Sequence, residues 1–302
     1  QTDFENLERK DTNFSPRAAI NFKATDNTNI YGSFSQGFKA GGFDPRARED
    51  LDPFGLSQEG FGPETVDSLE IGIKGTLFND RLVYAMAGFV ADYTDQQITT
   101  QNGVDTDGDG INDTFASSVF NAGASKYKGL EFEGAFRLSD NFTLNAVAGY
   151  IDTDIEEILS ADVNIADDFV TQNTPEFTSR FGFTYNHDLD GRGDLTFNGS
   201  ASYRDEYNLF NVPLPGFSPT VTFPEGGPAI DPDGYTVFDL SVKWTSENER
   251  WDFGVYGRNL TDERARVAAY SFAGPTQLGT DGAYSAFYRA PRTVTASLGF
   301  KY

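Results

Sequence analysis

The stretch Ser68-Leu-Glu-Ile-Gly-Ile-Lys-Gly-Thr-Leu77 alternates apolar and polar side chains along its length. Successive side chains of a β-strand point to opposite sides of the sheet, so this pattern predicts one apolar face and one polar face. The polar face carries charges of both signs in mid-strand, Glu70 and Lys74. It would meet solvent in a soluble sandwich and a wet lumen in a wide membrane barrel, and periodicity alone does not distinguish the two.

Ten other stretches repeat the pattern in whole or in part, so the chain is expected to be all-β. The eleven predicted strands are Phe14–Thr25, Ile30–Phe38, Thr65–Phe78, Leu82–Thr94, Ala124–Leu138, Phe142–Ile151, Phe177–Asn186, Leu195–Arg204, Tyr235–Thr245, Trp251–Asn259 and Arg292–Tyr302.

Short polar turns and long connections alternate between these strands. The long connections are Ala40–Pro63, Asp95–Gly123, Asp152–Glu176, Arg204–Gly234 and Leu260–Arg289. Short turns at one end and long loops at the other are typical of a transmembrane antiparallel β-barrel of the outer membrane. Long loops without secondary structure count against a compact soluble domain. A soluble sandwich and a β-solenoid are the alternatives.

Composition excludes several functional classes. The 302 residues carry a net charge of −23, which argues against a nucleic-acid partner. Cysteine is absent and His187 is the single histidine, so thiolate chemistry is excluded and a Ser/His/Asp hydrolase is disfavoured. Because these catalytic residue types are missing or single, the chain is not expected to be an enzyme. No apolar stretch reaches the ~20 residues of a membrane-spanning helix.

Several motifs, weak singly but strong in their order and spacing, resemble one known family. They are Tyr31–Phe43, Glu64–Lys74 with the turn Phe78–Arg81, Asp92–Gln97, Lys128–Glu133, Asn259–Asp262 and the terminal Arg289–Tyr302. In this order the chain resembles the C-terminal half of the barrel of a TonB-dependent outer-membrane receptor, over nearly all of its length.

That resemblance implies a 22-stranded barrel of which residues 1–302 form the C-terminal portion of about eleven strands, with the plug domain outside this chain. It implies TonB-dependent uptake of a scarce solute, such as a siderophore-iron chelate, cobalamin or a glycan, across the outer membrane of a Gram-negative bacterium. The expected partners are the TonB complex through the plug, outer-membrane lipid and lipopolysaccharide, and the barrel-assembly machinery through the strand that ends at Tyr302. A passive channel or an adhesin-type barrel is the alternative function.

One loop has the spacing of a calcium site. Its candidate ligands are Asp105, Asp107, Asp109, the carbonyl of Ile111, and Asp113. Carboxylates at positions 1, 3, 5 and 9 of such a loop surround a hard cation, while Gly110 at position 6 allows the sharp turn. Position 12 is Ala116 rather than glutamate, so a weak extracellular Ca²⁺ site and a polar loop tip both remain open.

The remaining candidates have structural interpretations. We expect His187 in a surface turn, and Trp244, Trp251 and Tyr302 in an aromatic girdle near the short turns. Most of the negative charge falls in the long connections. It forms either a solvated surface beside lipopolysaccharide or a field that attracts cationic or metal-bearing solutes, and it would repel an anionic iron chelate. The aromatic residues of the long connections either contact a ligand or pack the loops together. These residues are Phe43, Phe54, Phe61, Phe210, Phe217, Tyr270, Phe272, Tyr284 and Phe287.

Overall fold

The chain folds as antiparallel β-strands. The structure is a computed structural model that describes residues 7–44, 60–104, 107–108, 114–121, 123–160, 163–210, 231–272 and 283–302. Its strands are β1 (Arg17–Thr25), β2 (Thr28–Lys39), β3 (Glu64–Leu77), β4 (Leu82–Thr94), β5 (Gln97–Val104), β6 (Thr114–Asn121), β7 (Gly123–Ser139), β8 (Phe142–Ser160), β9 (Val163–Asn164), β10 (Phe177–Asp188), β11 (Asp194–Arg204), β12 (Tyr235–Thr245), β13 (Trp251–Arg258), β14 (Arg266–Phe272), β15 (Ala283–Tyr288) and β16 (Thr293–Phe300). A 3-10 turn at Ala166–Asp168 is the one helical element within these ranges, and it is far too short to cross a membrane.

Eleven of these strands form one continuous meander in the order β1-β2-β3-β4-β7-β8-β10-β11-β12-β13-β16, and β9 adds a short pair to β8. Every pairing between neighbouring strands of the meander is antiparallel. Strands β1 and β16 lie at the edges of this sheet. The eleven predicted strands correspond one to one with the meander.

The strand bounds agree closely with the alternation, with one large exception. Strands β4 and β12 have the predicted bounds, but β8 runs to Ser160, nine residues beyond its predicted end at Ile151. The predicted loop Asp152–Glu176 is therefore wrong at its start. Its acidic residues continue the strand, which stays paired with β7 as far as Gly123 opposite Ile158, and two of them form ion pairs with Lys126 and Lys128.

Two other long connections contain hairpins. Strands β5 and β6 pair from Gln97↔Asn121 to Val104↔Thr114, and β14 pairs with β15 in a separate sheet. Both hairpins lie at the end of the meander where its long connections emerge, called here the long-loop end. The opposite end, with the tight connections such as Thr25–Thr28 and Leu77–Leu82, is called the short-turn end.

Burial in the sheet is the reverse of that in a soluble protein. On β3, Leu69 and Ile71 are 60% and 65% exposed, while the interleaved Glu70 and Gly72 are less exposed. Cross-strand register continues each face across the sheet, because Ile71 faces Gly32 on one side and Gly88 on the other. We call these the apolar face and the polar face. Further exposed members of the apolar face are Ile20, Phe22, Phe34, Met86, Leu130, Leu144, Phe181, Phe238, Leu240, Phe253, Val294 and Leu298.

The apolar face is bounded at both ends. On β7 it extends from Leu130 to Leu138, which falls within the ~9–11 residues with which a tilted strand crosses a bilayer. Lys128 limits it towards the long-loop end. At the short-turn end Trp251 lies 4.5 Å from Phe300, ring centroid to ring centroid, in the girdle region expected for it.

Other girdle contacts also follow the expectation. Tyr302 lies 5.3 Å from Phe300 between ring centroids, and Trp244 donates from Nε1 to the carbonyl of Arg192 at 2.9 Å. His187 is exposed as expected, but it belongs to the end of β10, paired with Leu195, rather than to the turn. Its ring stacks on Tyr185 at a centroid distance of 6.2 Å.

Candidate functional site

The polar face of β2, β3 and β7 carries a group of charged side chains. Tyr31 lies across Gly72, where any Cβ would clash with the phenol ring, and its hydroxyl is within hydrogen-bonding range of Glu70. Lys74 lies 5.9 Å from the centroid of the same ring. Glu131 occupies the same row of the sheet through Ala87. Glycine at position 72 is thus the condition for folding an aromatic ring flat against this wall.

Hydrogen bonds between side chains continue along the polar face towards the C-terminus. Arg180 donates to Ser200 at 3.0 Å, and Lys243 forms a 2.9 Å ion pair with Asp252. Two further pairs link neighbouring strands, Thr184 with Asn198 at 2.8 Å and Thr196 with Asn186 at 2.9 Å. A sheet face of this polarity is suited to water and polar solutes. Within the described ranges, no three His, Asp or Glu side chains gather closely enough to hold a metal.

The main packed core lies at the long-loop end of the polar face, where β11 ends and β12 begins. It comprises Tyr207, Leu209, Tyr235, Val237 and Ala265, each at most 8% exposed. Phe210, Ala269 and Ala286 pack against it, so one loop aromatic, Phe210, has the packing role that was left open.

Two arginines flank the tyrosines of this core. The guanidinium carbon of Arg204 lies 4.0 Å from the ring centroid of Tyr207, and that of Arg289 lies 5.7 Å from the centroid of Tyr235. Tyr207 donates from its hydroxyl to the carbonyl of Arg266 at 3.0 Å. Burial raises the pKa of the Tyr207 hydroxyl, and the neighbouring Tyr235 acts in the same direction. We call Arg204, Tyr207, Tyr235, Arg266 and Arg289 the arginine–tyrosine cluster.

Asn259 fixes the connection between β13 and β16. It is 4% exposed, and its Nδ2 donates to the carbonyls of Glu263 at 2.9 Å and Ala290 at 3.0 Å. Its Oδ1 accepts from the Glu263 amide at 2.8 Å. Asp262 accepts from the Arg292 amide at 2.8 Å, and this bond, together with Arg264, holds the pKa of that carboxyl below its ordinary value.

Asn121 likewise fixes the connections around β5 and β6 through the hydrogen bonds of its side chain. Its Nδ2 donates to the carbonyls of Gly62, Pro63 and Asp95, and its Oδ1 accepts from the Gly62 amide. Gln97 adds donations to the carbonyls of Ala40 and Gly62. Single amide side chains thus hold adjacent long connections together at their bases.

The predicted calcium loop lies at the tip of the β5–β6 hairpin. Asp105, Asp109, Ile111 and Asp113 lie outside the described residues. Asp107 is described and exposed. The prediction of a calcium site therefore stays a prediction, although the pairing of Val104 with Thr114 closes the hairpin immediately before and after the loop.

Sequence reasoning missed the arginine–tyrosine cluster. Tyr207 and Tyr235 are separated by a connection of more than 25 residues, and Arg289 comes from yet another connection. The available signal was the register of β11 on β12, which sets Arg204 opposite Tyr235, but single-strand periodicity contains no register.

A model of the TonB dependent receptor-like β-barrel family matches residues 1–260. The chain belongs to the TonB-dependent receptor family. Its sheet is therefore part of a transmembrane antiparallel β-barrel, as the alternation of short turns and long connections predicted, with the apolar face towards lipid and the polar face towards the lumen. Members of this family are outer-membrane transport receptors of Gram-negative bacteria rather than enzymes.

Solved structures of the same fold include three transport proteins. The ferric yersiniabactin uptake receptor FyuA of Yersinia pestis aligns with a TM-score of 0.67 and 17% identity, over 94% of this chain and 36% of that one. The siderophore receptor PiuA of Acinetobacter baumannii aligns at 0.64 and 19%, over 95% and 35%. The copper transporter OprC aligns at 0.65 and 16%, over 95% and 39%. The chain thus spans little more than a third of these receptors, and the likeness concerns the fold alone.

Proposed function

We propose that this chain forms part of an outer-membrane receptor that imports a metal chelate by TonB-dependent transport. The observation that carries the proposal is the two-faced sheet, in which an apolar band meets lipid while a charged, hydrogen-bonded wall faces the lumen. Similarity to a ferric yersiniabactin receptor, a siderophore receptor and a copper transporter supports a metal-bearing cargo.

Two carboxylates of the polar face, Glu70 and Glu131, give this proposal a contact for a plug domain. Among the described residues, neither Glu70 nor Glu131 forms an ion pair with a lysine or arginine. Carboxylates in a confined lumen attract cationic groups, because the low-dielectric wall strengthens the field. We assign these side chains to contact with basic residues of a plug domain in the whole receptor, through which TonB would act.

We assign the remaining partners to the two boundaries of the apolar face. We assign Lys126 and Lys128, which are at the long-loop end, to contact with lipopolysaccharide phosphates. The strand that ends in Phe300 and Tyr302 would be presented to the barrel-assembly machinery. Calcium bound between Asp105 and Asp113 would neutralise a loop that otherwise concentrates negative charge.

Uptake of radiolabelled ferric chelates by cells that express the intact protein tests the proposal. We expect accumulation that stops when TonB is deleted or the proton gradient is collapsed. Equal uptake with and without TonB would overturn the proposal in favour of the passive channel. An adhesin-type barrel would show no uptake under either condition.

A further inference from the structure

Glycines interrupt the apolar face, and most of them lie against a neighbouring group. At four positions an added Cβ would clash with a carbonyl, a phenylalanine ring or a leucine. These pairs are Gly75 with Asn27, Gly134 with Phe132, Gly199 with Phe183, and Gly257 with Leu260. Gly32 differs, because the atoms nearest to an added Cβ, in Ile20 and Glu70, are 3.8 Å away. The surface above Gly32 is therefore open.

Gly32 and Gly88 form the floor of a groove on this face. At Gly88 the nearest atom to an added Cβ is the Leu130 Cδ2 at 3.2 Å, so the floor is partly covered there. The row that contains both glycines alternates large and absent side chains across β1, β2, β3, β4 and β7. In order, its members are Ile20, Gly32, Ile71, Gly88 and Leu130. The groove along this row has a volume of about 870 Å³, and we call it the glycine groove.

The dimensions of the glycine groove suit a single hydrocarbon chain. Four spacings between neighbouring strands, at ~4.8 Å each, give a length of about 19 Å from β7 to β1. One leaflet of a bilayer contains about 15 Å of hydrocarbon, and strands tilted by ~45° make a path across them run obliquely into that depth. The volume also falls within the ~300–1,000 Å³ of sites that hold small ligands.

Van der Waals contact would hold a chain in this groove. Within a bilayer every apolar surface already meets hydrocarbon, so binding gains nothing from the exclusion of water. A methylene group above Gly32 would contact the backbone of β2 beneath it and Ile20 and Ile71 on its two sides. On an even part of the face it would have contacts on one side only. The groove therefore favours one ordered chain over the mobile tails of other lipids.

Lys128 lies at the long-loop end of the groove, on the same face. Its ammonium has three donors, of which Asp152 at 2.8 Å takes one, and its side chain is 59% exposed. The neighbouring Lys126 is shared by two carboxylates, Asp92 at 3.3 Å and Glu156 at 3.1 Å. Of these two lysines, Lys128 thus has the greater capacity to bind an external anion.

We propose that the glycine groove binds one acyl chain of lipid A, the membrane anchor of lipopolysaccharide, with a phosphate of the same molecule on Lys128. A long hydrocarbon chain below the end of the apolar face and an anion directly above it are the two features that this surface recognises. The inference rests on the proposed function, in which the long-loop end lies at the cell surface, where lipopolysaccharide forms the outer leaflet. It turns a general contact with lysines into a site for a single lipid molecule.

Retention of lipid A by the intact purified protein, measured by native mass spectrometry in detergent, tests the site. The probes are hexa-acylated bisphosphoryl lipid A, its dephosphorylated form and phosphatidylglycerol. We expect wild type to retain one bisphosphoryl lipid A molecule. Gly32→Leu should weaken this binding about tenfold or more, because the leucine occupies the groove. Since the space above Gly32 is open, this variant should fold, and an unchanged thermal unfolding midpoint would show that it does.

Two further variants separate the phosphate contact from the groove. Lys128→Gln should weaken binding of bisphosphoryl lipid A about fivefold and leave binding of the dephosphorylated form unchanged. Ala296→Leu adds bulk to the apolar face on β16, outside the groove, and should behave as wild type.

Each contrary outcome has a distinct meaning. Equal retention by wild type and Gly32→Leu, or an equal loss in Ala296→Leu, would eliminate the groove. Phosphatidylglycerol that binds as tightly as lipid A would overturn the assignment to lipopolysaccharide. Failure to retain lipid A, in a protein that still takes up a solute by TonB-dependent transport, would overturn this inference and leave the proposed function intact. Retention of lipid A without any TonB-dependent uptake would overturn the proposed function alone.

Discussion

The ammonium of Lys128 lies 2.8 Å from the carboxylate of Asp152, on the same sheet face as the directly adjacent pair Leu130 and Tyr150. Two residues along β7 thus separate an exposed ion pair from Leu130, which is 64% exposed. Such a sharp change marks the level at which lipid tails give way to head groups. Strands β7 and β8 continue their pairing past this level, as far as Gly123 opposite Ile158.

A charge introduced in the middle of the apolar band should destabilise the barrel. Met86 lies on the apolar face between Ile73 and Phe132, and we expect Met86→Arg to cost about 2–4 kcal/mol of unfolding free energy. Ala85→Arg is the matched control, because position 85 lies on the lumen side between Lys74 and Glu133. Equilibrium unfolding of the intact protein in liposomes measures both. Similar losses for the two variants would contradict the assignment of the faces.

Removal of the Asn259 side chain should release the connection between β13 and β16. Asn259→Ala leaves the carbonyls of Glu263 and Ala290 without their donor, at a cost of about 1–3 kcal/mol for unsatisfied buried groups. Hydrogen exchange should accelerate at Glu263, whose amide loses its acceptor. Asn259→Asp keeps that acceptor and loses both donations, so the Glu263 amide should stay protected. Identical exchange in the two variants would argue against the assigned roles.

Asp262 should make the same connection sensitive to acid. The Arg292 amide and the Arg264 guanidinium hold the pKa of Asp262 below its ordinary value of about 3.9. A depressed folded-state pKa means that this stabilisation is complete above the ordinary pKa and is lost as the pH falls through the folded value. We therefore expect the Arg292 amide to be protected at neutral pH and to exchange freely only in strong acid. Asp262→Asn should weaken this protection at neutral pH and flatten the profile, and a wild-type profile in that variant would refute the assignment.

Gly72 and Tyr31 should be coupled energetically. Gly72→Val places a side chain where the Tyr31 ring lies, and overpacking of this kind costs about 1–3 kcal/mol. Tyr31→Ala removes the obstruction, so the double variant should be more stable than the sum of the two single changes predicts. A double-mutant cycle on unfolding free energy measures the coupling. Simple additivity would mean that the ring can move away without cost.

Calcium should bind the loop between β5 and β6. We expect calorimetry to give a dissociation constant of about 10⁻⁴–10⁻³ M, as in weak extracellular sites, and we expect Asp107→Ala and Asp109→Ala to abolish the heat. Asp95→Ala, outside the spacing pattern, is the control. Absence of calcium heat in the wild type would retire the site and leave a polar loop tip.

The extent to which the sequence predicted the fold depends on the part of the strand considered. Within the membrane band, alternation is enforced by lipid on one face and water on the other, so every strand of the meander was predicted, and the bounds of β4 and β12 agree with the structure. Beyond the band both faces are wet, and the pattern disappears. Asp152 and its acidic neighbours therefore resembled a loop although they continue β8.

The candidate site was less accessible to sequence reasoning for a similar reason. Glu70 and Lys74 were recognised as an unusual polar face because they lie on one strand. The arginine–tyrosine cluster joins Arg204, Tyr235 and Arg289 from different strands and connections. Its existence depends on register and on the closure of loops, neither of which hydrophobic periodicity encodes.

The bond from the Leu209 amide to Asp231 has an evolutionary consequence. This bond closes the connection between β11 and β12 next to the core formed by Tyr207, Tyr235 and Ala265. Doubling the length of an excursion closed in this way costs only about 0.6 kcal/mol. Insertions, deletions and wholesale replacement between these two anchors therefore carry little thermodynamic penalty, while the spanning strands stay as they are.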